Sequence, residues 1–379
     1  MTRDLDLDLG QLLWVGFEGT TAPPALRERI DAGRYGATIL FKRNLAIATA
    51  AGAAGGVPQE VCDLDALVAL NNALHRTAPD GTPALIAVDQ EGGLVQRVRA
   101  PATQWPPMMA HDQLPEREDE AMAERVGRAV GDELRALDFD IDFAPVLDVH
   151  TNPDNPIIGE RAFGTEPRAA ARRALAFARG LDAAGILSCG KHFPGHGDTD
   201  TDSHLELPRI DHAWDRLERV ELLPFALAAT AGLPMIMTAH VIFAAIDPTR
   251  PATLSPQVVT GLLRERLGYR GVVVSDDLDM KAIASHMGAD VAAIAAIRAG
   301  CDAVLLCRDP RVQDLAERGL RAEAERDSAF RARVGEAAAR IRAMKRAHAD
   351  GRTARPAPGR DAVGSYAHRR LADQLAGRA

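Results

Sequence analysis

The chain has 379 residues, enough for one large core. Apolar residues make up 46% and charged residues 26%, the composition of a globular protein. Its 53 acidic against 45 basic side chains give a formal net charge of −8, which argues against a nucleic-acid surface, since that needs a local basic excess. Four scattered cysteines, Cys62, Cys189, Cys301 and Cys307, form no C-x-x-C pair; they exclude a disulfide scaffold and suit a reducing compartment.

The first eight residues alternate acid with leucine and lack the basic start and apolar core of a secretory signal. No uncharged apolar run approaches the roughly twenty residues of a membrane helix, so a cytoplasmic protein is expected. Short apolar runs at 12–17, 37–41, 85–88, 139–143, 186–189, 235–238, 271–275 and 303–307 read as strands. Helical patterns at 60–75, 118–137, 166–184, 255–267 and 290–299 separate most of them, with Ser255-Pro256 as N-cap and first helical position. The stretch 46–61 is Ala- and Gly-rich and reads as a flexible insertion. Residues 310–349 read as one or two further helices, 351–360 as a linker, and 365–375 as a short helix.

Eight strand–helix repeats predict a (β/α)8 TIM-type barrel, for which about 250 residues is typical. A doubly wound sheet usually carries G-x-G-x-x-G after its first strand, and Val15-Gly16-Phe17-Glu18-Gly19 does not fit. The expected organisation is one barrel domain over 1–349 and a linker with a terminal helix over 350–379. Asp89, Asp148, Lys191, His192, His240 and Asp276 each fall at or just beyond the C-terminal end of an expected strand. Those ends converge on one face of a barrel, where residues distant in sequence meet.

The densest chemistry lies in K-H-F-P-G-H-G-D-T-D-T-D-S-H, residues 191–204. Glycines and proline break regular structure there, while three histidines, three aspartates and a lysine accumulate. Asp202, two residues before His204, can accept the second imidazole N–H, fix the tautomer and raise the basicity of the other nitrogen. The plain alternative is a solvated loop histidine beside a chance aspartate. Asp276 follows three valines; it can serve as a covalent nucleophile toward a sugar C1, or belong with Asp277 and Asp279 to a helix N-cap cluster. Asp89 can accept hydrogen bonds from vicinal hydroxyls. Arg97 and Arg161 can add donors or form ordinary ion pairs. Lys191 and His192 sit at a strand end, though His192 can equally be a core histidine. The histidines and aspartates of the loop also suit Zn²⁺ or Mn²⁺, but no H-E-x-x-H or comparable spacing occurs.

The 191–204 loop closely resembles the signature of bacterial β-N-acetylhexosaminidases of glycoside hydrolase family 3. A-V-D-Q-E-G-G with Q-R at 87–97, G-E-R-A-F-G at 159–164 and S-D-D-L-D-M at 275–280 agree in order and spacing. The resemblance covers about residues 10–345. It implies Asp276 as nucleophile, His204 as acid/base with Asp202 as its partner, and Asp89, Arg97, Arg161, Lys191 and His192 as contacts to N-acetylglucosamine. It also implies a retaining exo-β-N-acetylglucosaminidase acting on cytoplasmic cell-wall fragments. No cofactor, metal, nucleic acid or membrane is expected; the partner is a small carbohydrate, and the protein a monomer. Two departures stand out. Leu94 occupies a position where relatives often carry arginine. The tail looks like the entry to a second domain that longer relatives have. Competing expectations are a phosphorylase, a β-glucosidase of the same fold, a non-catalytic sugar-binding barrel and a metal-dependent hydrolase.

Overall fold

The computed structural model describes residues 4–50, 59–199 and 207–378. Eight parallel strands close into a barrel: β1 Leu13–Val15, β2 Ala37–Leu40, β3 Leu85–Val88, β4 Ile141–Asp142, β5 Leu187–Phe193, β6 Met235–Thr238, β7 Val272–Asp277 and β8 Ala303–Leu306. Closure is direct, because β1 pairs in parallel with β2 on one side and β8 on the other. Each expected run overlaps one of these strands. Parallel strands are covered on both faces, so they are written as unbroken apolar stretches, and Val272, Val273 and Val274 are all buried. Trp14 of β1 stacks on Phe143 just past β4, with ring centroids 6.5 Å apart. These strands are not neighbours, so the two rings fill the lumen and floor the upper half of the barrel.

The surrounding helices follow local signals. Pro167–Ala184 begins with Glu166 accepting the N–H groups of Arg168 and Ala169, and ends at Gly185 in the left-handed region, φ 85°. It packs along Glu116–Ala136, an amphipathic helix buried on one face. Two sequence expectations change here. The 46–61 stretch is not simply an insertion: Ile47–Ala50 pairs antiparallel with Gln59–Cys62, and residues 51–58 lie outside the described residues. The helix expected from residue 60 therefore starts at Leu64, capped by Asp63. Low-complexity composition had hidden the strand character.

The long helix Ser328–Ala354 crosses the lower end of the barrel and wires it shut. Lys345 Nζ donates to Gln11 Oε1, the Gly36 carbonyl and the Pro83 carbonyl at 2.7, 2.7 and 2.8 Å. Arg333 pairs with buried Asp302 at 2.8 Å, and Arg352 donates to the Phe139 carbonyl at 2.8 Å. Arg352 also pairs with Asp138 at 2.9 Å, which draws the helix four residues into the expected linker. The tail helix Tyr366–Leu375 docks on Glu116–Ala136, where His368 Nδ1 meets Glu133 Oε1 at 2.9 Å and Leu371 and Leu375 are buried. Among the described residues no helix is long and apolar enough to cross a membrane.

Candidate active site

The C-terminal ends of the strands surround a cavity of about 230 Å³. Asp89, Arg97, Arg161, Lys191, His192 and Asp276 all line it, drawn from the ends of β3, β5 and β7 and the loops after β3 and β4. These are the sequence-predicted site residues within the described part of the chain. Asp202 and His204 lie outside the described residues.

One wall is an ion-paired cradle. Lys191, on β5, places Nζ 2.8 Å from Asp89 Oδ1 and 2.5 Å from Glu91 Oε1. Arg161 grips Glu91 with two parallel N–H donors, Nε and Nη2, both at 2.8 Å, and gives Nη1 to the Ile157 carbonyl at 3.0 Å. Arg97 Nη2 lies 3.3 Å from Asp89 Oδ2. Burial opposes the charges of Asp89, Glu91, Lys191 and Arg161, and the pairing outweighs it. Asp89 stays well below the usual carboxylate range because Lys191 and Arg97 face it. Glu91 is held at about 2 by Arg161 and Lys191. Lys191 is correspondingly fixed as the ammonium by Asp89 and Glu91. The cradle presents charged groups with fixed orientation at neutral pH.

Asp148, six residues beyond β4, organises the histidines. Its carboxylate accepts the His192 backbone N–H at 3.1 Å, the His196 backbone N–H at 2.6 Å and His192 Nδ1 at 2.6 Å. Burial disfavours its charge, but His192 and these hydrogen bonds keep it below the ordinary range. A carboxylate only accepts, so Nδ1 of His192 carries a proton. His196 is pushed down to about 4 by burial and by His192, so it is neutral at physiological pH. The turn between them needs glycine: Gly195 has φ +135°, and a Cβ on Gly197 would stand 1.7 Å from the Val149 carbonyl oxygen. This close approach straps the loop to the one that follows β4. Asp198 extends the strap, accepting from Thr151 Oγ1 at 2.7 Å and bonding His212.

Opposite the cradle, β7 delivers Asp276 and Asp277 to the cavity. Asp276 Oδ1 accepts the Asp277 N–H at 2.8 Å. His240, expected at a strand end, is buried and outside the cavity lining; its Nε2 meets the Asp277 carbonyl oxygen at 3.0 Å and Nδ1 meets Thr253 Oγ1 at 2.9 Å. Leu94 stands exposed on the surface. Glu91 is the central residue that sequence reasoning did not single out, although it sits inside the A-V-D-Q-E-G-G stretch.

Comparison with known proteins bears on the family and the fold. The family model described as the glycosyl hydrolase family 3 N terminal domain matches residues 4–344. A β-hexosaminidase from Alkalilimnicola ehrlichii is 42% identical over 306 residues, covering 80% of this chain and 82% of its own length. A β-hexosaminidase A from Pseudoalteromonas piscicida is 39% identical over 303 residues, and there the match spans 76% of this chain but 48% of the longer relative. Among solved structures, a family 3 β-N-acetylglucosaminidase from Paenibacillus sp. superposes with a TM-score of 0.85 at 35% identity, over 99% of this chain and 68% of the other. NagZ from Neisseria gonorrhoeae, in complex with N-trifluoroacetyl-D-glucosamine, gives 0.77 at 31% identity over 97% of both chains. With its closed barrel, its strand-end carboxylates and a match spanning almost the whole length, the chain belongs to glycoside hydrolase family 3.

Proposed function

We propose that the protein is a retaining exo-β-N-acetylglucosaminidase that releases terminal β-linked N-acetylglucosamine from muropeptide fragments in the cytoplasm. The observation that carries this reading is the buried Asp89–Glu91–Lys191–Arg161 cradle facing Asp276 across a cavity floored by Phe143. A small cavity with a closed floor suits one terminal sugar rather than a polysaccharide passing through. Asp89 offers acceptors to vicinal hydroxyls, and Lys191, Arg97 and Arg161 offer donors. Its relatives' names support the sugar: the Paenibacillus protein is described as a β-N-acetylglucosaminidase and NagZ holds an N-acylated glucosamine.

In this mechanism a carboxylate oxygen of Asp276 attacks C1 from the side opposite the leaving group. His204, oriented by Asp202, donates its proton to the glycosidic oxygen as the C1–O bond breaks, giving a glycosyl-aspartate and a free alcohol. Neutral His204 then takes a proton from water, whose oxygen attacks C1 and releases the sugar and the Asp276 carboxylate. The 1–349 barrel carries this chemistry, and the 350–379 tail braces it from outside.

The test is a panel of chromogenic glucoside and N-acetylglucosaminide substrates and purified muropeptides, run with and without phosphate. The product's anomeric configuration and any sugar 1-phosphate are read by NMR. We expect hydrolysis of the N-acetylglucosaminide with retention, independent of phosphate. A fluorosugar that accumulates the intermediate should add its mass to the peptide bearing Asp276. Sugar 1-phosphate as the main product, inversion, or label on another residue would overturn the proposal.

A further inference from the structure

Strand β7 does not run straight to its end. Val274 pairs with Ala303 and Asp277 with Leu305, so three steps along β7 answer two along β8. That is a bulge, and a bulge strips ladder hydrogen bonds from the residues beside it. Two side chains replace them here. Ser275 Oγ accepts the Leu305 N–H at 3.0 Å, and Asp277 Oδ1 accepts the Cys307 N–H at 3.2 Å. The same Asp277 oxygen accepts the Asp279 N–H at 3.1 Å. The backbone resumes pairing at once, with the Leu278 N–H on the Leu305 carbonyl at 3.0 Å. From the other side, His240 donates Nε2–H to the Asp277 carbonyl at 3.0 Å. Asp276 stands between the two patched positions, at the crest of the bulge, with its side chain in the cavity.

We propose that Asp277 is a positioning residue: its carboxylate clamps the bulge to β8 and so fixes where the Asp276 oxygens stand against the anomeric carbon. This rests on the reading of Asp276 as the nucleophile. The clamp acts on β7, whereas the sugar cradle comes from β3, β5 and the loop after β4. Loss of the clamp therefore misplaces the attacking atom and leaves sugar binding alone. A misplacement of about 1 Å costs roughly 10²-fold in rate.

The test compares Asp277→Ala, Asp277→Asn and Asp276→Ala on an N-acetylglucosaminide, with kcat and KM separated. We expect Asp277→Ala to lose about 10²-fold in kcat with KM within about threefold of wild type. Asp277→Asn keeps an oxygen for the Cys307 and Asp279 N–H groups, and should recover kcat to within about tenfold of wild type. Wild-type kcat in Asp277→Ala, a loss carried by KM, or an Asn variant as slow as the Ala variant overturns the clamp. If Asp277→Ala fails to fold, Ser275→Ala removes the other patch and should lower kcat by about tenfold at unchanged KM; an unchanged kcat there overturns it too. Asp276→Ala keeps the readings apart. If it turns over normally, the nucleophile assignment has failed; if it is dead while Asp277→Ala is fast, only the clamp has.

Discussion

Glu91→Gln tests the cradle most directly. Glu91 is buried and neutralises two cations at once, taking two 2.8 Å bonds from Arg161 and one of 2.5 Å from Lys191. Glutamine has nearly the same shape but no charge, and its amide nitrogen turns a donor toward one of those cations. Breaking a buried pair by removing one partner costs about 3–5 kcal/mol. Arg161 keeps a little solvent contact and the Ile157 carbonyl, and Lys191 keeps Asp89, so we expect about 2–4 kcal/mol. That corresponds to a fall of roughly 3–5 °C in Tm for a domain of this size. The same change unfixes Arg161 and lets Lys191 shift toward Asp89, so kcat/KM should drop by about 10–100-fold, or about 1.4–2.7 kcal/mol of transition-state binding. Arg161→Lys, which keeps the charge but loses the planar fork, should lie between wild type and Glu91→Gln. Tm comes from calorimetry and kcat/KM from a chromogenic N-acetylglucosaminide. A Glu91→Gln enzyme with Tm within about 1 °C and kcat/KM within about twofold of wild type would refute the view that this wall is an electrostatic unit.

His204→Ala should slow natural oligosaccharides far more than activated phenyl glycosides, since a good leaving group needs little protonation; equal losses on both would contradict an acid role. Asp277 gives a pH signature. Burial, with Asp279 and Asp276 behind it, raises its carboxyl to about 7, so the folded chain binds that proton more tightly than the unfolded chain does. Its contribution is complete below the unfolded value of about 4 and is lost as pH rises through about 7; urea unfolding at several pH values should show this fall in wild type and a flatter profile in Asp277→Asn. Lys345→Met deprives Gln11 Oε1 and the Gly36 and Pro83 carbonyls of their donor, and should cost about 3 kcal/mol by urea midpoint. Lys345 lies at the end of the barrel away from the cavity, so kcat/KM should hold; a matching loss of activity would show that the two ends are coupled.

The barrel was legible because its physics is local. A strand covered on both faces must be apolar throughout, and eight such runs separated by helical patterns leave few other folds. Element ends were legible only where a cap marked them, as at Glu166 and Gly185. The helix running through residue 354 was not, because Arg352 extends it by reaching Asp138, far away in sequence. The antiparallel pair Ile47–Ala50 and Gln59–Cys62 was hidden for another reason: it lies in an alanine- and glycine-rich stretch, and both residues are depleted in strands.

The site divides along the same line. Residue types at strand ends announced where chemistry could occur, since a barrel gathers those ends on one face. They did not announce the wiring. Glu91 meets Arg161 across 70 residues of sequence, and only that meeting turns an acidic residue in a glycine-rich turn into the keystone of a charged wall. The adjacent pair Asp276-Asp277 makes the point most sharply. Nothing in two identical residues side by side says which faces substrate and which supports the backbone, and strict alternation along a strand would send them to opposite faces. The bulge sets that rule aside, bringing both to the cavity wall while spending one Asp277 oxygen on two backbone N–H groups. A register shift leaves no trace in hydrophobic periodicity. On the proposed reading, two aspartates of equal chemistry thus take different tasks from hydrogen bonds supplied by a neighbouring strand.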